Sequence, residues 1–203
     1  MKLPVCFAEF IGILGVLSLV SNKFHTDVYK VDTNLSSLEW IGEKISGKHH
    51  GTIKFLNGEI RNNHGTITGM FEFDMNSIGC LDLEPGANRE KLENFLKSSN
   101  FFDARVYPKA VFILNSAIPV KQGDGINYTH TVKGLLTIKD KTNEISFGAN
   151  LKIEGKQFSC QGSVSIDRTQ YDIRYRSKTF FLDIGDKVIY DEFKLNFNVI
   201  AGK

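Results

Sequence analysis

The chain has 203 residues, with Lys+Arg 25 against Asp+Glu 23 and a formal net charge of +2. That length suits one domain with a sizeable core. The balanced charge excludes the basic surplus of a nucleic-acid binder and the acidic excess of a disordered tail. Three cysteines, Cys6, Cys80 and Cys160, show neither a CxxC nor a zinc spacing, which excludes a dense disulfide framework. Sixteen phenylalanines against one tryptophan supply more ring volume than plain packing of a small barrel needs.

The N-terminus predicts a signal peptide over residues 1–24, followed by a single domain over 27–203. Met1-Lys2 is a minimal positive start, and FIGILGVLSLV, Phe10 to Val20, has the length of a signal-peptide apolar core. Cleavage is expected between Ser21 and Thr26; an uncleaved anchor is the alternative. Cys6 precedes the apolar run, so lipidation there is rejected. Export follows as the expected location.

Beyond the leader the pattern alternates at period two. SLEWIGEK (37–44) and GTIKFL (51–56) come first. TITGMFEFDM then sets Ile67, Gly69, Phe71, Phe73 and Met75 on one side. Asn88 is the expected N-cap of a short helix over Arg89–Lys97, with Leu92, Phe95 and Leu96 at helical spacing and an aromatic turn at Phe101-Phe102 after it. AVFILN (110–115) and THTVKGLLTIKD (129–140) follow. ISFGANLKIEG, FSCQGSVSID and FKLNFNV carry Phe147, Cys160, Ile166, Phe193 and Phe197 on their apolar sides. Turn signals are Asn57-Gly58, Gly123-Asp124-Gly125, Asp140 to Asn143 and Glu154-Gly155. About eight one-sided strands with short connections predict an all-β antiparallel barrel or sandwich with one short helix near an end.

Phase within each strand points Trp40, Phe55, Phe71, Phe73, Phe112, Leu136, Phe147 and Ile166 inward, while Leu92, Phe95, Leu96, Phe101 and Phe102 cover or extend the interior. Inward positions alternate large and small, as in Gly69 by Phe71, Ala149 by Phe147 and Gly162 by Cys160, which either leaves a ring-lined void or only relieves crowding. Adjacent His49-His50 point to opposite strand faces and cannot jointly hold a metal. His64 and His130 are isolated, and these histidines read as surface residues rather than ligands. No nucleophile motif or phosphate loop is present. Cys80 and Cys160 either pair or, as favoured, remain buried thiols.

DRTQYDIRYRSKTFF, Asp167 to Phe181, stands apart. It mixes Arg168, Arg174, Arg176 and Lys178 with Tyr171, Tyr175, Phe180 and Phe181. Such a segment leaving a barrel end either frames the mouth of a lipid pocket or forms a structural plug. Arg168 and Tyr171 are expected to be mainly structural; Arg174 and Tyr175 are the members placed to meet a polar head.

Several stretches, in order, resemble the YceI-like family of lipocalin-like polyisoprenoid-binding proteins: YKVDTNLSSLEWIGEK, HHGTIKFLNGEI, KLENFLKSSNFFDARVYPKAVF, GLLTIKDKTNEISF, DRTQYDIRY and GDKVIYDEF. Leu35-Ser36 stands where many members carry His-Ser, Glu90 follows Arg89 where the family's Arg-Asp pair lies, and Asp172 stands where a glycine is usual. The resemblance implies an eight-stranded lipocalin-like barrel with an apolar pocket and supplies no catalytic residues. The expected ligand is a long isoprenoid or similar lipid, a quinone among the candidates, carried or sequestered without another cofactor or a metal. No nucleic-acid partner is expected; a transient contact with a membrane surface is. The alternatives are an enzyme acting on such a lipid and a packed barrel with no ligand.

Overall fold

The computed structural model describes residues 26–121, 125–181 and 185–203. The expected signal peptide and the Gly123-Asp124 turn signal lie outside the described residues. Among the described residues nine strands form: β1 Asp27–Val31, β2 Ser37–Lys44, β3 Gly47–Asn63, β4 Thr66–Cys80, β5 Lys109–Pro119, β6 His130–Ile138, β7 Lys141–Glu154, β8 Gln157–Asp167 and β9 Ile189–Gly202. Helix α1 spans Ala87–Lys97, and short 3-10 turns occupy Arg168–Tyr171 and Gly185–Lys187.

All pairings are antiparallel, and the order β3-β2-β9-β8-β7-β6-β5-β4 closes because β4 returns to β3. The result is a closed eight-strand barrel. The ninth strand adds no stave. β1 pairs with β3 at Glu59 to Asn62 and with β9 at Ala201 and Gly202, filling the slot above β2, which uses the other ends of the same two neighbours. Closure leaves no free sheet edge.

The strands define two ends. One carries the β3–β4 turn and the β7–β8 turn; the other carries α1, the Arg168–Tyr171 turn and the chain from there to β9. We call the second the helix end.

Three local expectations are corrected. Asn57-Gly58 is not a turn: both lie inside β3, opposite Glu72 and Phe71, next to a bulge between Phe55 and Asn57. Asn57 Nδ2 donates to Glu72 Oε2 at 2.6 Å, and the apolar phase runs on to the fully buried Ile60. The strand therefore continues until His64-Gly65, where φ values of 50° and 91° supply the reversal. The β6–β7 turn sits at Lys139-Asp140, and Lys141 to Asn143 already belong to β7. Asn88 is not the N-cap. Glu90 N–H donates to Gly86 O, so the helix starts two residues earlier from Gly86, with no side-chain cap.

Asp172, at the position where the family's glycine is usual, has φ 56° and ψ 36°. That is the left-handed region, which glycine enters freely and Asp tolerates better than most residues.

Candidate functional site

The barrel interior is lined by alternate residues of every long strand and holds a cavity of about 120 Å³. One water needs roughly 10–15 Å³ in the same terms, so the space is ample. Its walls offer water nothing: the lining side chains are aliphatic, aromatic or Cys160. Rings form a continuous run across it, with Phe71–Phe112, Phe112–Phe147 and Phe147–Phe197 centroids 6.2, 5.9 and 5.5 Å apart, and Phe55–Phe73 5.1 Å apart. Burial pushes the Cys160 thiol up to about 12, so it remains a protonated, unreactive wall group.

A second apolar compartment of about 110 Å³ lies at the helix end. Trp40, Leu92, Phe95, Leu96, Phe101 and Phe102 line it, together with Ile78 and the buried Arg168. Ile53, Phe102 and Phe193 border both spaces, so these three side chains form the wall that the two share. The outer rim of the second compartment carries Glu43, Lys44, His49, Tyr190 and Glu192. A chain of rings, Tyr175–Phe95–Phe101–Phe102–Phe193, roofs this end with centroid spacings from 4.7 to 6.4 Å.

Phe55, Phe71, Phe73, Phe112, Leu136 and Phe147 thus line the main cavity, and the helix-end group lines the second. Ile166 is buried beneath this region but lines neither space. Leu38, Ile53, Met75, Phe158, Phe193, Leu195 and Phe197 line the main cavity without having been singled out. Their signal was available, since each keeps the inward phase of its strand. Of the small inward residues, Ala110 and Ala117 face the void, Gly69 lies against the Glu59 carbonyl, and Gly162 and Gly134 seat rings. A Cβ on Gly134 would come within 2.6 Å of the Phe112 ring and 2.3 Å of Ile113 O.

The charged stretch divides in two. Asp167 Oδ1 accepts Thr169 N–H at 2.9 Å and caps the 3-10 turn. Arg168 is 1% exposed and donates to three backbone carbonyls: Nε to Tyr190 O at 3.1 Å, Nη1 to Ile173 O at 2.7 Å and Nη2 to Ile189 O at 2.9 Å. Asp191 Oδ1 lies 3.0 Å from Nη2 without an aligned hydrogen bond, so it acts as a neighbouring charge. Tyr171 plugs the barrel end beside it, fully buried, its hydroxyl without a hydrogen-bond partner. Burial pushes this phenol up to about 12.

Arg174 and Tyr175 lie outside both linings. Arg174 is exposed, its Nε bonded to Asp172 and its guanidinium 4.8 Å from the Phe180 ring. Tyr175 packs at a tilt against Phe95, whose ring separates it from the second compartment. Cys80 and Cys160 are both free thiols.

A sequence profile of the YceI-like domain matches residues 29–201. The chain belongs to the YceI-like family. Two solved structures share the fold. BcnA of Burkholderia cenocepacia is 19% identical with a TM-score of 0.64, over 84% of this chain and 98% of that one. A polyisoprenoid binding domain from Saccharophagus degradans, implicated in plant cell wall breakdown, is 14% identical with a TM-score of 0.58, over 86% and 97%. No match is found among curated proteins.

Proposed function

We propose that this protein encloses a long apolar ligand of polyisoprenoid type, for carriage or sequestration outside the cytoplasm. The observation that carries the reading is the pair of adjacent apolar compartments that share the wall of Ile53, Phe102 and Phe193. A flexible chain that turned these side chains aside would span both spaces and bury itself without any strong polar anchor. Each CH₂ removed from water contributes about 0.8 kcal/mol, hence about 4 kcal/mol gross per five-carbon unit before ordering costs. The description of the Saccharophagus degradans domain as polyisoprenoid binding agrees with this ligand class. Cys160 is the ionisable side chain among the described residues lining the main cavity, and burial disfavours its ionisation, which supports binding over chemistry.

The polar end of the ligand, a quinone ring or a phosphate, lies at the helix end, where the rim is polar and where Tyr175 and Arg174 stand beside it. Phe180 and Phe181 are exposed next to Arg174, Arg176 and Lys178. Such a surface, rings flanked by cations, suits transient contact with an anionic membrane during loading. The apolar run from Phe10 to Val20 supports export.

Native mass spectrometry of the protein purified from its own host, followed by lipid extraction, tests the reading. A non-covalent adduct releasing a prenyl chain is expected, and Phe73→Glu should lose it, because an unpaired carboxylate among these rings is costly. A folded wild type with no adduct, and no uptake of added prenol, overturns it. For the head group, Arg174→Ala should weaken prenyl phosphate by about 1–3 kcal/mol in calorimetry while leaving a neutral prenol unchanged. Equal phosphate affinity removes Arg174 from the site.

A further inference from the structure

The helix end also gathers three side chains that the lipid reading does not use. β4 pairs its last residue, Cys80, with Gly51 of β3. Leu81 N–H then donates to His50 O at 2.9 Å, which carries the ladder one step past the strand. His50 N–H donates to Asp82 Oδ1 at 2.8 Å. This brings Asp82 back against β3, where its Oδ2 lies 2.8 Å from His49 Nδ1. The Cys80 thiol donates to Asp82 Oδ1 at 3.3 Å. One nitrogen, one sulfur and one oxygen thus lie within 4.8 Å of one another.

We propose that His49, Cys80 and Asp82 bind one thiophilic divalent cation of the Zn²⁺ class. Bonds of about 2.0–2.3 Å in a tetrahedron set ligand atoms roughly 3.5 Å apart, and the present separations straddle that value. Small side-chain rotations open the site around a cation. Binding replaces the thiol and imidazole hydrogen bonds to Asp82 with metal bonds; the Cys80 thiol proton leaves to solvent, and His49 gives up the Nδ1 proton that faces Asp82, the neutral ring carrying its hydrogen on Nε2. Water fills the fourth position, reachable because His49 and Asp82 side chains are 29% and 23% exposed.

The support around the cluster is built. Cys80 N–H donates to Glu93 Oε1 at 2.8 Å, and Arg89 Nε holds the same oxygen at 3.0 Å, so α1 fixes the backbone of the sulfur ligand. Gly51, opposite Cys80, tolerates no side chain, since its Cβ would fall 1.8 Å from Gly79 O. The mixed N, S, O set favours zinc-like ions over calcium or magnesium, which take oxygen alone. His49 also lines the second compartment, so the cation sits at the edge of the lipid space. The inference does not depend on a lipid being bound.

The test uses the full chain with Cys6→Ser and Cys160→Ser, leaving Cys80 as the single thiol, in a buffer that does not bind metals. Titration with Co²⁺ should produce a near-ultraviolet thiolate-to-cobalt band and tetrahedral visible bands that saturate at one equivalent, and Zn²⁺ should displace them. Cys80→Ser should abolish the thiolate band. His49→Ala and Asp82→Asn should each weaken Co²⁺ and Zn²⁺ at least tenfold. Because Cys80 is fully buried, its variant can fail to fold; the variant of the partly exposed His49 then decides. No thiolate band at excess Co²⁺ overturns the proposal, as does a band kept at undiminished affinity in both His49→Ala and Asp82→Asn.

Discussion

Along the wall of the main cavity, side chains from every stave meet with no charged or strongly polar group among them, whereas the cap at the helix end is fastened around a buried charge. The wall can be wholly apolar because its backbone groups are paired within the barrel ladders. At the cap β8 has ended, so the carbonyls of Ile173 and of the first two β9 residues, Ile189 and Tyr190, are met by a side chain instead of a neighbouring strand. One guanidinium, with its fork of N–H donors, satisfies all three. The difference shows where a barrel needs a buried arginine: at the point where irregular chain must close over an apolar space.

Removing that arginine is the largest expected effect. Arg168→Ala leaves three carbonyls and the Asp191 charge uncompensated, and should cost about 3–5 kcal/mol in urea unfolding followed by circular dichroism. Arg168→Lys should recover only part, since an ammonium cannot reach in three directions from one plane. A loss below about 1 kcal/mol would mean that the cap closes by ring packing alone, and the contrast with the wall would fail.

The wall has its own weak point in Gly134. Gly134→Ala should cost about 1–3 kcal/mol, because the added carbon meets both Phe112 and the Ile113 carbonyl and the closed sheet cannot spread. Unfolding midpoints of the variant check this, and unchanged stability would show a wall looser than its contacts.

Tyr171 sharpens the contrast in the other direction. Its neighbour Asn143 donates to Gln170 O, leaving the phenol hydroxyl buried and unpaired. Tyr171→Phe should therefore be neutral or stabilising by up to about 1 kcal/mol. The folded phenol titrates near 12, against about 10 when unfolded. The native state thus holds its proton where the unfolded chain has lost it, and the associated stability is full below pH 10 and lost as pH rises toward 12. Unfolding curves between pH 9 and 11.5 should show this decline in the wild type and a shallower one in Tyr171→Phe.

Smallest is Arg174→Ala, with a stability change under about 0.5 kcal/mol. Its side chain is exposed, and its pair with Asp172 is one that solvent screens. Thermal unfolding separates it from Arg168→Ala, six residues earlier in the same charged stretch.

Much of the wall was legible in the sequence. Period-two alternation placed Phe55, Phe71, Phe73, Phe112 and Phe147 on the inner face, because a strand's side chains alternate whatever it pairs with. The turns were less legible. Asn57-Gly58 has the composition of a hairpin turn, yet the apolar phase on either side, continued to Ile60, kept the strand running through it. The helix start likewise followed a backbone bond from Glu90 to Gly86 instead of the better capping residue, Asn88.

The sequence alone determined the alternation, the single helix, the family resemblance and the apolar character of whatever lies inside. Only the tertiary structure decided which residues meet across the closed barrel. The wall of Ile53, Phe102 and Phe193 shared by the two compartments brings together residues far apart in the chain. The carbonyl nest of Arg168 draws on segments before and after the Gly185–Lys187 turn, and His49 reaches Cys80 and Asp82 across β3 and β4. None of these has a local signature, because closure sets them: register and the roofing of one end by α1 bring distant side chains within bonding distance.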